Sequence, residues 1–211
     1  MYLPGHFEET RSEVLHDLMR AHPFATLVTH GNKGLSADHL PLHLAADVAP
    51  CGALQGHVAR ANPLWRDAAD SEVLVIFQGP QAYVTPSWYA TKRADGKAVP
   101  TWNYVVVHAR GRLRAIDDPA WLRAQLEILV SRHESAFPEP WQIGDAPPDY
   151  IEKMLKAIVG IEIVISELGG KWKTSQNQPE INRAGVVHGL RERGTEDALK
   201  MAALVAGIPA R

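Results

Sequence analysis

The sequence predicts a β-rich α+β fold: a small antiparallel barrel or sandwich, flanking helices and a helical C-terminal region. Three observations predict it. Between residues 24 and 115, short runs rich in β-branched and aromatic residues follow one another with turn residues between them. Those runs are not interleaved with long helical patterns, so repeated βαβ units are not expected. From Pro179 to Ala206 the pattern changes to two helices parted at Gly194. A chain of 211 residues can bury about 70% of its unfolded surface, enough for one proper core. The expected organisation is a barrel domain over residues 1–176 and a helical extension over residues 177–211.

The elements are read in order. Thr10 and Glu13 form a capping box for a first helix, with Val14, Leu15, Leu18 and Met19 on one face. His22-Pro23 ends it. Phe24 to His30 is a strand, Gly31-Asn32-Lys33-Gly34 a hairpin turn, and Leu35 to Ala46 a second strand. Pro41 marks an edge, bulge or exposed position there, and Leu40, Leu42 and Leu44 share an apolar face. Ala53 to Ala59 is a strand, broken by Asn62-Pro63, with a short helix over Pro63 to Ala69. Val73 to Gln78 is a strand, Gly79-Pro80 a turn, and Ala82 to Thr85 a further strand. Tyr104 to Arg114 is the longest late strand.

Asp118-Pro119 opens a helix, Asp as N-cap and Pro at the first position, with a stripe of Leu122, Leu126, Leu129 and Val130. Pro147 or Pro148 opens another, with Ile151, Leu155 and Ile158 inward and Gly160 at its end. Ile161 to Leu168 is a strand and Gly169-Gly170 a turn. In the C-terminal helices Leu190, Leu199, Met201, Leu204 and Val205 read as packing faces. Glu180, Glu192, Glu196 and Asp197 offset Arg183, Arg191, Arg193 and Lys200, so packing or dimer contact outweighs a helix-turn-helix.

Composition excludes several classes. The net charge of −2 gives no global attraction to nucleic acid or anionic lipid. No apolar run is long enough to span a bilayer, and the start of the chain lacks a secretory pattern, so a cytoplasmic, membrane-free setting is expected. Cys51 is the only cysteine, which excludes an intrachain disulfide. His39 and His43 would lie about 13 Å apart along one strand, so no metal site is expected. Neither a phosphate loop nor a Gly-x-Ser-x-Gly elbow occurs, Ser87, His108 and Asp117 make no recognisable triad, and no catalytic residue is assigned.

Five segments combine hydrogen-bonding groups with aromatic or small residues at strand ends. They are Asp38-His39-Leu40-Pro41-Leu42, the stretch from Gly56-His57 to Arg60-Ala61-Asn62-Pro63, Tyr83-Val84-Thr85-Pro86-Ser87-Trp88-Tyr89, Pro100-Thr101-Trp102-Asn103-Tyr104, and Lys171-Trp172-Lys173-Thr174-Ser175-Gln176-Asn177. Such a mixture suits a flat aromatic ligand with a phosphate tail. Rings cover the ring, amides and hydroxyls read its edge, and Arg or Lys takes the phosphate. The same residues also serve ordinary turns and cores.

In this order, and with the N-terminal Met-Tyr-x-Pro-x-x-Phe, the five segments resemble the PaiB-like FMN-binding negative transcriptional regulators over residues 1–206. The resemblance implies a split β-barrel, a homodimer, FMN at the subunit interface and a role in repressing transcription. It implies that Asp38, His39 and Leu40 run along the flavin, and that His57, Arg60 and Asn62 approach the ribityl chain and phosphate. Arg60 is the choice for the phosphate contact. Thr101, Trp102 and Asn103 would reach across the dimer, and Lys173, Ser175 and Gln176 would close the site. The implied function is an FMN-binding negative regulator of transcription, with DNA a candidate partner; neither direct DNA contact nor an operator is readable from the residues. The alternative is a flavin-dependent oxidoreductase on the same barrel, using NAD(P)H or a small-molecule substrate.

Overall fold

The computed structural model describes residues 1–31, 34–48 and 50–207. Asn32 and Lys33 of the expected hairpin turn lie outside the described residues. The described strands are β1 (Glu8–Glu9), β2 (Phe24–Gly31), β3 (Gly34–Pro41), β4 (His43–Ala45), β5 (Ala53–Ala59), β6 (Glu72–Val84), β7 (Thr101–Ile116) and β8 (Ile158–Lys173). The helices are α1 (Ser12–Ala21), α2 (Leu64–Asp67), α3 (Lys92–Asp95), α4 (Pro119–Glu134), α5 (Pro148–Lys156), α6 (Glu180–Arg193) and α7 (Glu196–Ala206). They fall into two compact units. One comprises Met1–Leu18, Gln78–Val107 and Gly169–Arg211; the other comprises Met19–Phe77 and His108–Leu168.

The strand order is β3-β2-β6-β7-β8-β5-β4, with β1 on β8, and the defined registers are antiparallel. The sheet is not closed by hydrogen bonds. Its two edges, β3 and β4, are instead consecutive in the chain and joined through Leu42 alone. Pro41 has no N–H to continue a ladder. The Leu42 N–H leaves the sheet and donates to the Pro23 carbonyl at 2.9 Å. Gly56 on β5 makes room for this crossing, since a Cβ there would lie 2.8 Å from Leu42 Cδ2. The result is the split barrel, with Leu40, Leu42 and Leu44 buried together as their alternation predicts. The second unit's core is filled by Leu27, Leu54, Val75, Phe77, Leu113, Ile161 and Ile163.

Several boundaries differ from the expectation. Gly79-Pro80 is no turn: β6 runs straight through it. A Cβ on Gly79 would meet Val105 Cγ2 at 2.6 Å and Leu18 Cδ1 at 2.7 Å, so the glycine marks a close approach inside the strand. Gly169-Gly170 likewise lies within β8, where Glu9 pairs with Gly170. Ile158 and Gly160 also belong to β8 rather than to the end of α5. The first helix starts at Ser12, and the Glu9 carboxylate accepts the Arg11 backbone N–H at 2.9 Å.

The Asp118 cap forms as expected, its carboxylate accepting from the Ala120 N–H at 2.9 Å. The stripe on α4 is less apolar than expected: Gln125 is buried beside Leu122, whereas Leu126, Leu129 and Val130 are half-buried. Leu122 packs with Ile143, Ile151 and Leu155. In the first unit α6 and α7 pack through Val186, Leu190, Met201, Ala202 and Val205 onto Ala82, Val84 and Tyr89. Leu199, expected in that face, is exposed instead. Among the described residues no helix is long and apolar enough to cross a membrane.

Candidate functional site

The predicted residues fall into two groups, one in each unit. In the second unit β3 and the turn before α2 are tied by Asn62, whose Nδ2 donates to Asp38 Oδ1 at 2.7 Å. Asn62 Oδ1 also accepts from the Leu64 N–H at 2.9 Å, so the Asn-Pro pair starts the short helix and holds β3 with one side chain. Asp38 and Asn62 line a cleft of about 460 Å³ together with Thr29, Ser36, Leu64 and Asp67. That size suits a ligand site. Among the described lining residues the ionisable groups are Asp38 and Asp67.

The other predicted residues of this unit face elsewhere. His39 is exposed on the side of β3 opposite Asp38, and its Nδ1 lies 3.0 Å from Thr26 Oγ1 on the paired strand. Leu40 is a core residue. His57 Nδ1 lies 3.1 Å from Gln125 Oε1 of α4. It belongs to a polar layer on one face of the β4-β5-β8 sheet, where Gln55 pairs with Glu162 at 3.0 Å. The same face carries His43, opposite Gln55 in register. His43 Nδ1 and Gln125 Nε2 are buried without a hydrogen-bond partner.

Burial first, then the charges of Arg132 and Arg20, push the His43 pKa below its usual value, against a weaker opposing pull from Asp47. His43 is therefore favoured neutral in the fold. Its contribution to stability is present above the unfolded-state value near 6.5 and is lost as pH falls through the lower folded value. Denaturant unfolding should thus show stability falling from pH 7 toward pH 5, and His43→Gln should flatten part of that slope. An unchanged slope would remove His43 as a cause.

Arg60 is committed to the fold. Its Nη1 and Nη2 form a two-pronged pair with Asp117 at 2.7 and 2.6 Å, Nε donates to the Lys156 carbonyl at 2.7 Å, and Nη2 donates to the Ile158 carbonyl at 3.0 Å. Four of the five guanidinium N–H groups are thereby used. The hydrogen-bonded Arg60 guanidinium holds the Asp117 carboxyl below its usual range, and Asp117 raises Arg60 in turn. Trp65 Nε1 donates to the Arg60 carbonyl at 3.1 Å, adding a second tie. This is a clasp between the end of β5, the start of β8 and the segment after β7. Arg60→Ala should lower the melting temperature with FMN affinity unchanged. A loss of FMN affinity at constant stability would restore the phosphate role.

In the first unit the residues do converge. Lys173 Nζ donates to Thr101 Oγ1 at 2.5 Å and to the Trp102 carbonyl at 2.9 Å. Asn103 Nδ2 donates to Ser175 Oγ at 2.8 Å, while Asn103 Oδ1 is buried with no partner. Ser175 holds a φ of +67°, strained for a residue other than glycine. Gln176 braces this turn: its Nε2 donates to the Trp172 carbonyl and its Oε1 accepts from the Thr174 N–H at 2.8 Å. Trp102 is exposed, edge-on to Tyr83 at 6.0 Å, with Nε1 donating to Gln81 Oε1 at 3.0 Å. Burial lowers the pKa of Lys173, and Lys171 adds to that against a pull from Tyr104.

Sequence reasoning missed Lys171 and Gln125. Lys171 Nζ sits between the rings of Tyr2, at 5.6 Å, and Tyr104, at 5.4 Å. It also donates to the Tyr2 carbonyl at 3.0 Å. The motifs containing both tyrosines and the lysine were visible, but their meeting was not. Gln125 gave no signal beyond being one polar residue among apolar ones.

Comparison with known proteins decides the family. A family model described as "Putative FMN-binding domain" matches residues 1–167. The chain belongs to this FMN-binding-domain family. Family resemblance extends along nearly the whole chain. Protease synthase and sporulation protein PAI 2 of Bacillus subtilis is 33% identical over 206 residues, covering 97% of this chain and 96% of that protein. An uncharacterized protein of Emericella nidulans is 35% identical over 232 residues, covering 93% of this chain and 92% of that protein. Among solved structures, the FAD and heme binding protein of Mycobacterium smegmatis matches with a TM-score of 0.57 at 17% identity, covering 79% of this chain and 73% of that one. The flavocytochrome Anf3 of Azotobacter vinelandii matches with a TM-score of 0.56 at 15% identity, covering 79% of this chain and 69% of that one. These two likenesses show the shared fold. FMN is the cofactor by which the family is described. The donors and acceptors of Asn103 and Lys173 fit such a group: Asn103 Oδ1 is a buried acceptor that lacks a donor, and the Lys173 ammonium uses two of its three N–H groups.

Proposed function

We propose that this chain binds FMN and acts as a homodimeric negative transcriptional regulator. The observation that carries the reading is the near full-length likeness to PAI 2, whose name ties that protein to protease synthesis and sporulation. FMN contact is proposed for the Asp38–Asn62 cleft and for the Thr101–Asn103 and Lys173–Gln176 group. The homodimer is supported by β3, an eight-residue edge strand with one free side and an exposed Leu35. Natural proteins rarely leave such an edge uncovered. When bound, FMN supplies a ring whose redox state can be sensed. A shift in regulation then requires that FMN bind two protein states with different affinity.

The test is a titration of the purified protein with FMN, followed by flavin fluorescence, with mass measured in solution. Saturation at one FMN per subunit in a dimer is the expected result. Salt-sensitive binding to its own promoter, altered by FMN, is expected in the same sample, because phosphate contacts release counterions. A monomer that leaves flavin fluorescence unchanged would sink the reading.

A further inference from the structure

The group around Asn103 has a hydrogen-bonding pattern as well as a composition. Thr101 and Asn103 alternate on β7 and so share a face. Lys173 has three N–H donors and uses two, on Thr101 Oγ1 and the Trp102 carbonyl. Ser175 Oγ accepts from Asn103 Nδ2, which leaves the serine proton to be donated. The same amide carries Asn103 Oδ1, a buried acceptor without a partner. Such an atom costs stability until a donor reaches it.

The group therefore holds two unused donors and one unused acceptor. A cyclic imide presents the complement: carbonyl oxygen, N–H, carbonyl oxygen. We propose that Ser175, Asn103 and Lys173 form a reader for an imide edge, and that in this chain it takes the pyrimidine edge of FMN, with the ring N3–H donated to Asn103 Oδ1. The inference rests on the FMN reading above and adds the end of the ligand that this group recognises. It places no phosphate here. Asn103 and Ser175 are both buried, so the imide edge reaches them only when the turn at Ser175 moves.

The ligand itself supplies the cleanest test, since it leaves the protein unaltered. The unmodified chain is titrated with FMN and with N3-methyl-FMN, whose methyl group removes the N–H and blocks the acceptor. The expected result is at least tenfold weaker binding of the methylated flavin. Equal affinities for the two flavins overturn the imide reader and leave the FMN reading standing. Failure of both flavins to bind overturns both readings. A second measurement uses Asn103→Asp, which keeps the shape and an acceptor but removes the amide donor to Ser175. Folding is checked by circular dichroism. In the folded variant, discrimination against the methylated flavin should persist; its loss with FMN affinity unchanged would also overturn the assignment.

Discussion

Gly185→Ala lowers the melting temperature by about 4–8 °C, a loss of about 2 kcal/mol for a chain of this size. The direction is the opposite of the ordinary one, since alanine in a helix interior is about 1 kcal/mol better than glycine. The reason is the seat of the Trp88 turn on α6. A Cβ on Gly185 would lie 2.0 Å from the Trp88 carbonyl oxygen and 3.2 Å from its carbon. That neighbour is backbone and cannot rotate away. The turn is held by Pro86 and by Thr85, whose hydroxyl accepts from the Ser87 N–H at 3.2 Å. From the other side α6 is held by Asn182, whose Oδ1 accepts from the Thr91 N–H at 3.2 Å. Overpacking of this kind costs about 1–3 kcal/mol and occasionally more, which outweighs the gain in helix propensity. Gly189→Ala should cost less, although its Cβ would lie 2.2 Å from an indole carbon of Trp88. That ring is half-buried and can swing outward. Thermal unfolding of both variants checks the order; a rise in melting temperature for Gly185→Ala would refute the seat.

Phe77→Ala should cost about 3–5 kcal/mol, the range for removing a buried aromatic ring. Phe77 heads the largest fully buried side chains and shows no exposure. It shares one face of β6 with Val73 and Val75, both buried, in the alternation of a strand against a core. The loss corresponds to a fall of about 6–20 °C. Domains are typically stable by only about 5–15 kcal/mol, so the soluble yield should fall as well. Phe77→Leu retains much of the volume and should lose clearly less. Equal melting temperatures for the alanine variant and the parent chain would show that Phe77 supports no packed core.

The apolar, β-branched run from Val73 to Gln78 announced a strand, but only the fold shows that Val73, Val75 and Phe77 form its buried face. Asp118-Pro119 marked a helix start because the cap is local, and Leu40, Leu42 and Leu44 announced a shared face for the same reason. Gly79, Gly160 and Gly169-Gly170 misled. Glycine looks the same in sequence whether it opens a turn or lets another segment approach. At Gly79, Gly160 and Gly170, Val105, Trp121 and Leu15 stand where a Cβ atom would be. Leu15 was readable as a core residue, but its approach to Gly170 depends on long-range pairing.

For the candidate site the division is similar. The order of the five motifs determined the family, and hence FMN, because residue type and spacing survive in the sequence. The fold class was set by the alternation of short apolar runs with turns. Only the tertiary structure decided the roles within those motifs. Arg60 was chosen for a phosphate because a guanidinium matches one; only the fold shows that it also pairs with Asp117 and two carbonyls. Asn103 and Lys173 were named together but acquire their pattern only when β7 meets the end of β8. Hydrogen-bond satisfaction belongs to groups far apart in the chain, so no local reading of residues can supply it.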